Sequence, residues 1–244
     1  MKIMALLFSL LMSLHARAGL TSVDTSYFKG DYGNTYHESG HRVLVNTDLG
    51  DKNKFYLGYE HARRDYTSEV GFYRDAVLIG DTVVFDNLKS YVELAGAFDD
   101  DTLVGPQTSV SMIPHTSYFT NWDLALGFHY GKYETGEVQS YQPQIIYFIN
   151  EQLSLGHSSW FYDDSGWHHA HREFFRARYE RYSAELSWAG GENREDVGFI
   201  DPFNSYAITI SYVYKKAHLY LNLEDYQGQT RRGSQWGVGL KWQW

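Results

Sequence analysis

The sequence predicts an all-β fold: a single closed antiparallel transmembrane β-barrel of about fourteen strands, with twelve strands as the alternative. Apolar and polar residues alternate with a period of two along most of the chain, and clusters of Gly, Asn and Asp interrupt the alternation. The mean hydropathy is −0.46, and no segment after the first eighteen residues approaches the ~20 apolar residues of a membrane helix. A barrel reconciles these observations, because only alternate residues of its strands face lipid.

The first eighteen residues have the organisation of a secretory signal peptide. Lys2 supplies a short positive region, and an almost wholly apolar stretch covers residues 3–14. Ala16 and Ala18 then form the small-x-small pattern that signal peptidase recognises, so cleavage is expected before Gly19. The predicted organisation is therefore a leader over residues 1–18 and an outer-membrane barrel domain over residues 19–244.

The alternating segments place strands near residues 20–30, 39–49, 54–65, 70–84, 88–99, 106–114, 120–133, 138–149, 152–163, 168–179, 182–190, 203–214, 217–227 and 232–244. The last strand has the clearest pattern. One of its faces is apolar and is expected to contact lipid, namely Trp236, Val238, Leu240, Trp242 and Trp244. Such a strand with a terminal aromatic residue is typical of proteins inserted by the outer-membrane barrel assembly machinery.

The connections between these segments fall into two alternating classes. Short ones are expected at residues 50–53, 86–87, 115–119, 150–151, 180–181 and 215–216. Longer polar ones are expected at residues 31–38, 99–105, 163–167, 190–202 and 227–231. Outer-membrane barrels have short periplasmic turns, longer extracellular loops and an even number of strands. The pattern therefore predicts that both termini are periplasmic and that the last strand pairs with the first.

Composition narrows the function. The chain has 21 Lys and Arg against 30 Asp and Glu, a net charge of −9, so it lacks the basic surface needed for nucleic acid. It contains no cysteine, which excludes disulfides and thiolate chemistry. Aromatic residues make up 17% of the chain, which fits either an aromatic-rich soluble β protein or the aromatic belts of a membrane barrel. The expected partners are outer-membrane lipids and lipopolysaccharide, with the oligomeric state left open.

Several short motifs resemble the YaiO family of outer-membrane β-barrel proteins. They are Ala18-Gly19-Leu20-Thr21-Ser22 with Tyr27 and Asp31-Tyr32, Arg63-Arg64-Asp65-Tyr66, Trp160-Phe161-Tyr162-Asp163-Asp164-Ser165, and Leu240-Lys241-Trp242-Gln243-Trp244. The resemblance covers the whole chain after the leader. It implies the location and the fold, and it implies no catalytic residues.

Two groups of side chains invite a chemical reading. His168, His169, His171 and Glu173 are close in sequence, but a polar loop explains them better than a metal site. His157 and Ser159 share one strand face, which the neighbouring leucines mark as outward, so a lipid-facing dyad is conceivable. The spacing alone is weak evidence, and we expect no enzyme activity, no catalytic residues, no metal and no cofactor.

The charges on the inward faces are the best candidates for function. The alternation assigns nine of them to the lumen: Asp48, Glu60, Glu93, Asp123, Arg176, Arg178, Glu185, Glu224 and Lys241. They would either tune the selectivity of a pore or close the interior with ion pairs. The hypotheses are a porin-like passive channel for small hydrophilic solutes or oligosaccharides, a non-conducting envelope barrel associated with polysaccharide export, and an outer-membrane lipid hydrolase.

Overall fold

The computed structural model describes residues 20–50, 52–66, 71–99, 106–133, 136–163, 166–194 and 200–244. These residues form fourteen strands and one 3-10 turn at Asp86–Leu88. The strands are β1 Leu20–Asp31, β2 Tyr36–Asp48, β3 Asn53–Tyr66, β4 Gly71–Phe85, β5 Ser90–Asp99, β6 Thr108–Thr116, β7 Trp122–Tyr133, β8 Gly136–Phe148, β9 Leu153–Asp163, β10 Trp167–Tyr179, β11 Tyr182–Arg194, β12 Ile200–Tyr214, β13 Ala217–Gly228 and β14 Arg232–Gln243.

The strands form one closed antiparallel barrel in which every strand pairs with its neighbours in the sequence. Closure is made by β1 and β14, whose register runs from Ser22 opposite Gln243 to Asp31 opposite Ser234. The amide of Trp244 continues this seam by donating a hydrogen bond to the carbonyl oxygen of Thr21 at 3.2 Å. Closure pairs both edge strands and leaves no open sheet edge. The fourteen-stranded closed barrel predicted from the sequence is confirmed.

The observed strands differ from the predicted ones mainly at one end of the barrel. We call the end that carries Leu20 and Gln243 the terminal end, and the opposite end the loop end. At the loop end β11 continues to Arg194 and β12 begins at Ile200, so most of the connection predicted over residues 190–202 is strand. Backbone pairing continues from Gly191 opposite Phe203 to Arg194 opposite Ile200. Polar composition made this stretch look like a loop, whereas cross-strand pairing makes it an extended hairpin.

The outer surface carries apolar side chains between two aromatic levels. On β12 the outward residues run from Tyr206 through Ile208 and Ile210 to Tyr212, and all four belong to the face opposite Ser211. On β14 the same order is Trp236, Val238, Leu240 and Trp242. Bands of this kind suit a hydrocarbon layer bounded by two polar interfaces. No helix in the described part of the chain is long and apolar enough to cross a membrane.

Candidate functional site: the barrel lumen

The ladder register places all nine predicted lumen residues on the interior face. The face can be followed from strand to strand, since Cα partners in a pair point to the same side. Arg42 is opposite Glu60, which is opposite Ala76, and at the other edge Glu224 is opposite Gln235. The nine residues are Asp48 on β2, Glu60 on β3, Glu93 on β5, Asp123 on β7, Arg176 and Arg178 on β10, Glu185 on β11, Glu224 on β13 and Lys241 on β14.

One set of interior charges forms a chain of ion pairs across four adjacent strands. The Nε of Arg42 donates to Glu60 Oε2 at 2.7 Å, and Arg74 Nη1 lies 3.3 Å from Glu60 Oε1. Arg74 also donates from Nε to Asp99 Oδ2 at 2.6 Å. Glu60 is only 5% exposed, so both of its oxygens are satisfied by arginines rather than by bulk water. These ion pairs brace the wall formed by β2, β3, β4 and β5.

A second set lies on β10 and β11. Arg172 and Arg176 both donate hydrogen bonds to Glu185, one to each carboxylate oxygen. The ring of Phe174 lies between the two arginines, with guanidinium carbons 5.5 Å and 4.3 Å from its centroid. Arg178 continues this row toward the terminal end and makes no ion pair with the described residues. The result is a strip of positive charge along one side of the lumen.

A buried polar cluster occupies the wall formed by β5, β6 and β7. Asp123 accepts a hydrogen bond from Tyr91 Oη at 3.3 Å, and its other oxygen lies 3.1 Å from His115 Nδ1. The rings of Tyr91 and His115 stack at 4.1 Å with an interplanar angle of 13°. Glu93 lies 4.0 Å from the other imidazole nitrogen. The sequence pointed to Glu93 and Asp123 but not to the histidine that joins them.

The loop end of the lumen holds an aromatic cluster that the sequence did not indicate. Tyr32, Tyr36 and Tyr226 are each 6% exposed or less, and Tyr66 and Phe203 pack against them. The guanidinium carbon of Arg231 lies 4.4 Å from the centroid of Tyr226 and 4.8 Å from that of Tyr32. We call these six residues the tyrosine–arginine cluster. Burial lowers the pKa of Arg231 and raises the pKa of Tyr32 to about 12.

The connection that carries Arg231 is fixed by a buried carboxylate. Asp201 is completely inaccessible to solvent and accepts a hydrogen bond from Tyr226 Oη at 3.1 Å. Its second oxygen accepts from the backbone amide of Thr230 at 2.9 Å. A cavity of about 700 Å³ opens beside the cluster and is also lined by Tyr133, Trp160, Tyr162, Arg172, Asn222 and Glu224. The cavity thus combines aromatic faces with charged hydrogen-bonding groups of both signs.

The histidines singled out in the sequence are divided between the two faces. His168 lies on the interior side and contacts Glu192, with Nδ1 2.8 Å from Oε2. His169 and His171 lie on the exterior, where their rings are 5.6 Å apart. Within the described residues no three His, Cys, Asp or Glu side chains are arranged to hold a metal ion. On the same exterior face His157 contacts both Ser159 and Glu173.

Comparison with known proteins identifies the architecture and nothing finer. No family model matches the chain, and no curated protein sequence matches it. Three solved structures resemble it at low identity. A KdgM porin has a TM-score of 0.55 and 11% identity, covering 91% of this chain and 99% of that one. The Acinetobacter baumannii outer membrane protein Omp33 has a TM-score of 0.56 and 8% identity, with coverages of 93% and 100%.

The third, described as a bacterial polysaccharide outer membrane secretin, has a TM-score of 0.61 and 11% identity, covering 93% of this chain and 99% of that one. The chain has a porin-like β-barrel fold. In this porin-like barrel the cleavage residues Ala16 and Ala18 fall outside the described part, as do Asp164 and Ser165 of the YaiO-like motif. The resemblance to the YaiO family is therefore neither supported nor contradicted by the comparisons.

Proposed function

We propose that this protein is a porin-like passive channel for small hydrophilic solutes, including oligosaccharides. The proposal is carried by the cavity of about 700 Å³ at the loop end of the lumen. Sugars present apolar ring faces and a periphery of hydroxyl groups, so they suit a site with aromatic surfaces and a few convergent polar groups. The tyrosine–arginine cluster and the neighbouring Trp160, Asn222 and Glu224 provide both kinds of contact.

The distribution of charge inside the barrel supports a solute without strong net charge. Arg172, Arg176 and Arg178 form a positive strip on β10, whereas Glu93 and Asp123 lie on β5 and β7. Opposite charges on different walls create a transverse field, which orients a neutral solute that carries many hydroxyl dipoles. The overall acidic balance of the chain, with a net charge of −9, disfavours accumulation of anions near the barrel.

The same proposal includes the location. The apolar exterior between two aromatic levels suits an integral outer-membrane protein whose terminal end faces the periplasm and whose loop end faces outward. Outer-membrane lipids and lipopolysaccharide would contact the exterior, and the barrel assembly machinery would insert the chain after removal of residues 1–18. Membership of the YaiO family fits this location and remains part of the proposal.

Single-channel recording tests the proposal. The purified chain is inserted into planar lipid bilayers, and we expect discrete conductance steps that maltohexaose blocks transiently from the loop-end side. Arg231→Ala should increase the conductance, because the guanidinium group occupies the loop-end cavity. Arg232→Ala is the matched control, since the adjacent arginine lies on the exterior face and should leave the steps unchanged.

An absence of steps above the detergent background overturns the channel. That result, obtained with a barrel that still shows heat-modifiable gel mobility, would favour the alternative of a non-conducting envelope barrel associated with polysaccharide export. Equal conductance changes for Arg231→Ala and Arg232→Ala would show that the tyrosine–arginine cluster does not line the pathway.

A further inference from the structure

Three side chains on the exterior of β9 and β10 form a continuous hydrogen-bonded row. His157 Nδ1 lies 3.1 Å from Glu173 Oε1, and His157 Nε2 lies 2.9 Å from Ser159 Oγ. An ionised carboxylate only accepts hydrogen bonds, so Nδ1 carries the proton that is donated to Glu173. Nε2 then has a free lone pair and accepts the hydrogen bond from the serine hydroxyl. This is the tautomer in which a histidine activates a serine as a nucleophile.

The backbone of both strands fixes this row. Glu173 is the cross-strand partner of His157, and His171 is the partner of Ser159. The position opposite Ser159 on the other side is Pro143, which interrupts the bonded β8–β9 ladder between Tyr141 and Gln144. Ser159 is 8% exposed, so its hydroxyl is recessed, whereas the side chains of His157 and Glu173 are 45% and 44% exposed. The reactive atom is thus sheltered and the base remains accessible from outside.

A second histidine–carboxylate pair on the exterior shows what the row at Ser159 adds. His61 Nδ1 lies 2.9 Å from Asp75 Oδ1, and Tyr59 donates a hydrogen bond to the same carboxylate oxygen. In that cluster both polar side chains are directed at the carboxylate. At His157 the imidazole instead separates the carboxylate from a hydroxyl, which is the order required for general-base catalysis.

The row lies at the level where a bilayer changes from hydrocarbon to polar groups. Glu173 is opposite Trp188, and Trp188 is opposite Tyr206, which belongs to the aromatic level nearer the loop end. The ester bonds of membrane lipids lie at this depth. Beside Glu173 a groove of about 1050 Å³ runs over the exterior and is lined by apolar side chains that include Leu155, Phe175, Leu186, Ile208 and Leu223. It offers an acyl chain a contact surface next to the hydroxyl.

We propose that Ser159, His157 and Glu173 form a lipid-facing acyl-ester hydrolase site on the barrel wall. Its substrate class is a membrane lipid with an ester-linked acyl chain. The site is separate from the lumen, so it does not depend on whether the barrel conducts. Each residue has one role: Ser159 is the nucleophile, His157 the general base and acid, and Glu173 the group that orients the imidazole and stabilises its protonated form.

The reaction balances with water as the co-reactant. Ser159 Oγ attacks the acyl carbonyl carbon while its proton passes to His157 Nε2. The ester C–O bond then breaks, and the departing lipid oxygen takes that proton as a hydroxyl group. Water attacks the acyl-serine in the same way, which releases the carboxylic acid and restores Ser159. The imidazole of His171, across the strand pair from Ser159, is positioned to donate a hydrogen bond to the developing oxyanion.

Covalent labelling provides the first test. The full chain in detergent is treated with hexadecylsulfonyl fluoride, and the adduct is located by peptide mass spectrometry. We expect modification of Ser159 and its loss in Ser159→Ala. Ser158→Ala is the matched control, because the neighbouring hydroxyl points inward and hydrogen-bonds to Gln144 at 3.0 Å. Glu173→Gln should slow labelling by more than tenfold without loss of heat-modifiable mobility, since it removes only the group that orients His157.

Turnover provides the second test and distinguishes the source of the ester. Fatty acid release is measured after reconstitution into dioleoyl phosphatidylethanolamine–phosphatidylglycerol vesicles, and separately with purified lipid A. Release from either substrate that disappears in Ser159→Ala but not in Ser158→Ala supports the proposal and names the lipid. The absence of both an adduct at Ser159 and fatty acid release by the folded wild-type barrel overturns it. Ser159→Ala should leave the channel conductance unchanged, so this result and the channel result fail independently.

Discussion

Asp99 holds Arg74 across the β4–β5 pair, with its Oδ2 atom 2.6 Å from the arginine Nε and its side chain completely inaccessible to solvent. Arg74 also contacts Glu60, whose other oxygen binds Arg42. A carboxylate in this position balances a charge that has little water around it. The interior ion pairs are therefore part of the wall's stability, whatever passes through the lumen.

Asp99→Asn should destabilise the barrel by about 1–3 kcal/mol, because it leaves a guanidinium group with one carboxylate fewer in a shielded site. The measurement is the urea midpoint of reversible unfolding in detergent or lipid. Asp65→Asn is the control: its partner Arg63 is at the similar distance of 2.7 Å, but both side chains are largely exposed. We expect little change there, and equal shifts for the two variants would contradict a structural role for the interior chain.

The seam between β1 and β14 makes a second prediction. A Cβ atom at Gly233 would lie 2.1 Å from the carbonyl oxygen of Asp31 and 2.5 Å from the Cα of Tyr32, both of them backbone atoms. At Gly237, on the same face of the same strand, the nearest atom would be 3.4 Å away. Gly233→Ala should therefore push the closing strands apart, at a cost of about 1–3 kcal/mol.

Heat-modifiable gel mobility measures this effect directly. The temperature at which the folded band disappears should fall clearly for Gly233→Ala and much less for Gly237→Ala. If both variants melt at the wild-type temperature, the seam near the loop end tolerates a side chain and the geometry described for it is wrong.

The strand pattern was accessible from the sequence because a membrane barrel imposes it residue by residue. Each strand must alternate between lipid and lumen, so Trp236, Val238 and Leu240 show their face without knowledge of any neighbour. The same rule assigned Glu60 and Glu185 to the lumen. It did not reveal their partners Arg42 and Arg172, because partner choice depends on the register between strands, which the alternation leaves open.

Groups that join distant parts of the chain were not accessible. Tyr32, Tyr226 and Arg231 come together only when β1, β13 and β14 close the barrel, and two of the three lie in or beside polar connections. Glu173 shows the same limit: the sequence grouped it with nearby histidines, whereas the β9–β10 register makes it the partner of His157. Local spacing identified His157 and Ser159 as sharing a face, but the third member required the fold.

The loop-end connection makes a third prediction. Asp201→Ala removes the acceptor for both Tyr226 Oη and the Thr230 amide, and it leaves the tyrosine hydroxyl in a buried site. The expected cost is about 1–3 kcal/mol, and the segment that carries Arg231 should become mobile. Hydrogen exchange at residues 228–231 should rise in this variant.

Asp225→Ala is the matched control for that experiment. Its carboxylate contacts only the exposed Gln227 side chain among the hydrogen bonds described, at 2.8 Å. Exchange at residues 228–231 should remain at the wild-type level. An unchanged exchange rate in Asp201→Ala would show that the aromatic contacts of Arg231 fix the segment by themselves.

Titration of Tyr32 makes the last prediction. Burial raises its pKa to about 12 from the usual 10, so the folded barrel favours the neutral phenol. The resulting stabilisation is complete below pH 10 and is lost as the pH rises from 10 to about 12, where the unfolded chain ionises first. The difference in unfolding free energy between the wild type and Tyr32→Phe should therefore be constant below pH 9 and shrink by at most about 3 kcal/mol by pH 12. Tyr118→Phe, at a site 70% exposed, controls for alkaline effects elsewhere. A wild-type–Tyr32→Phe difference that stays flat across this range would show that the tyrosine–arginine cluster is open to water.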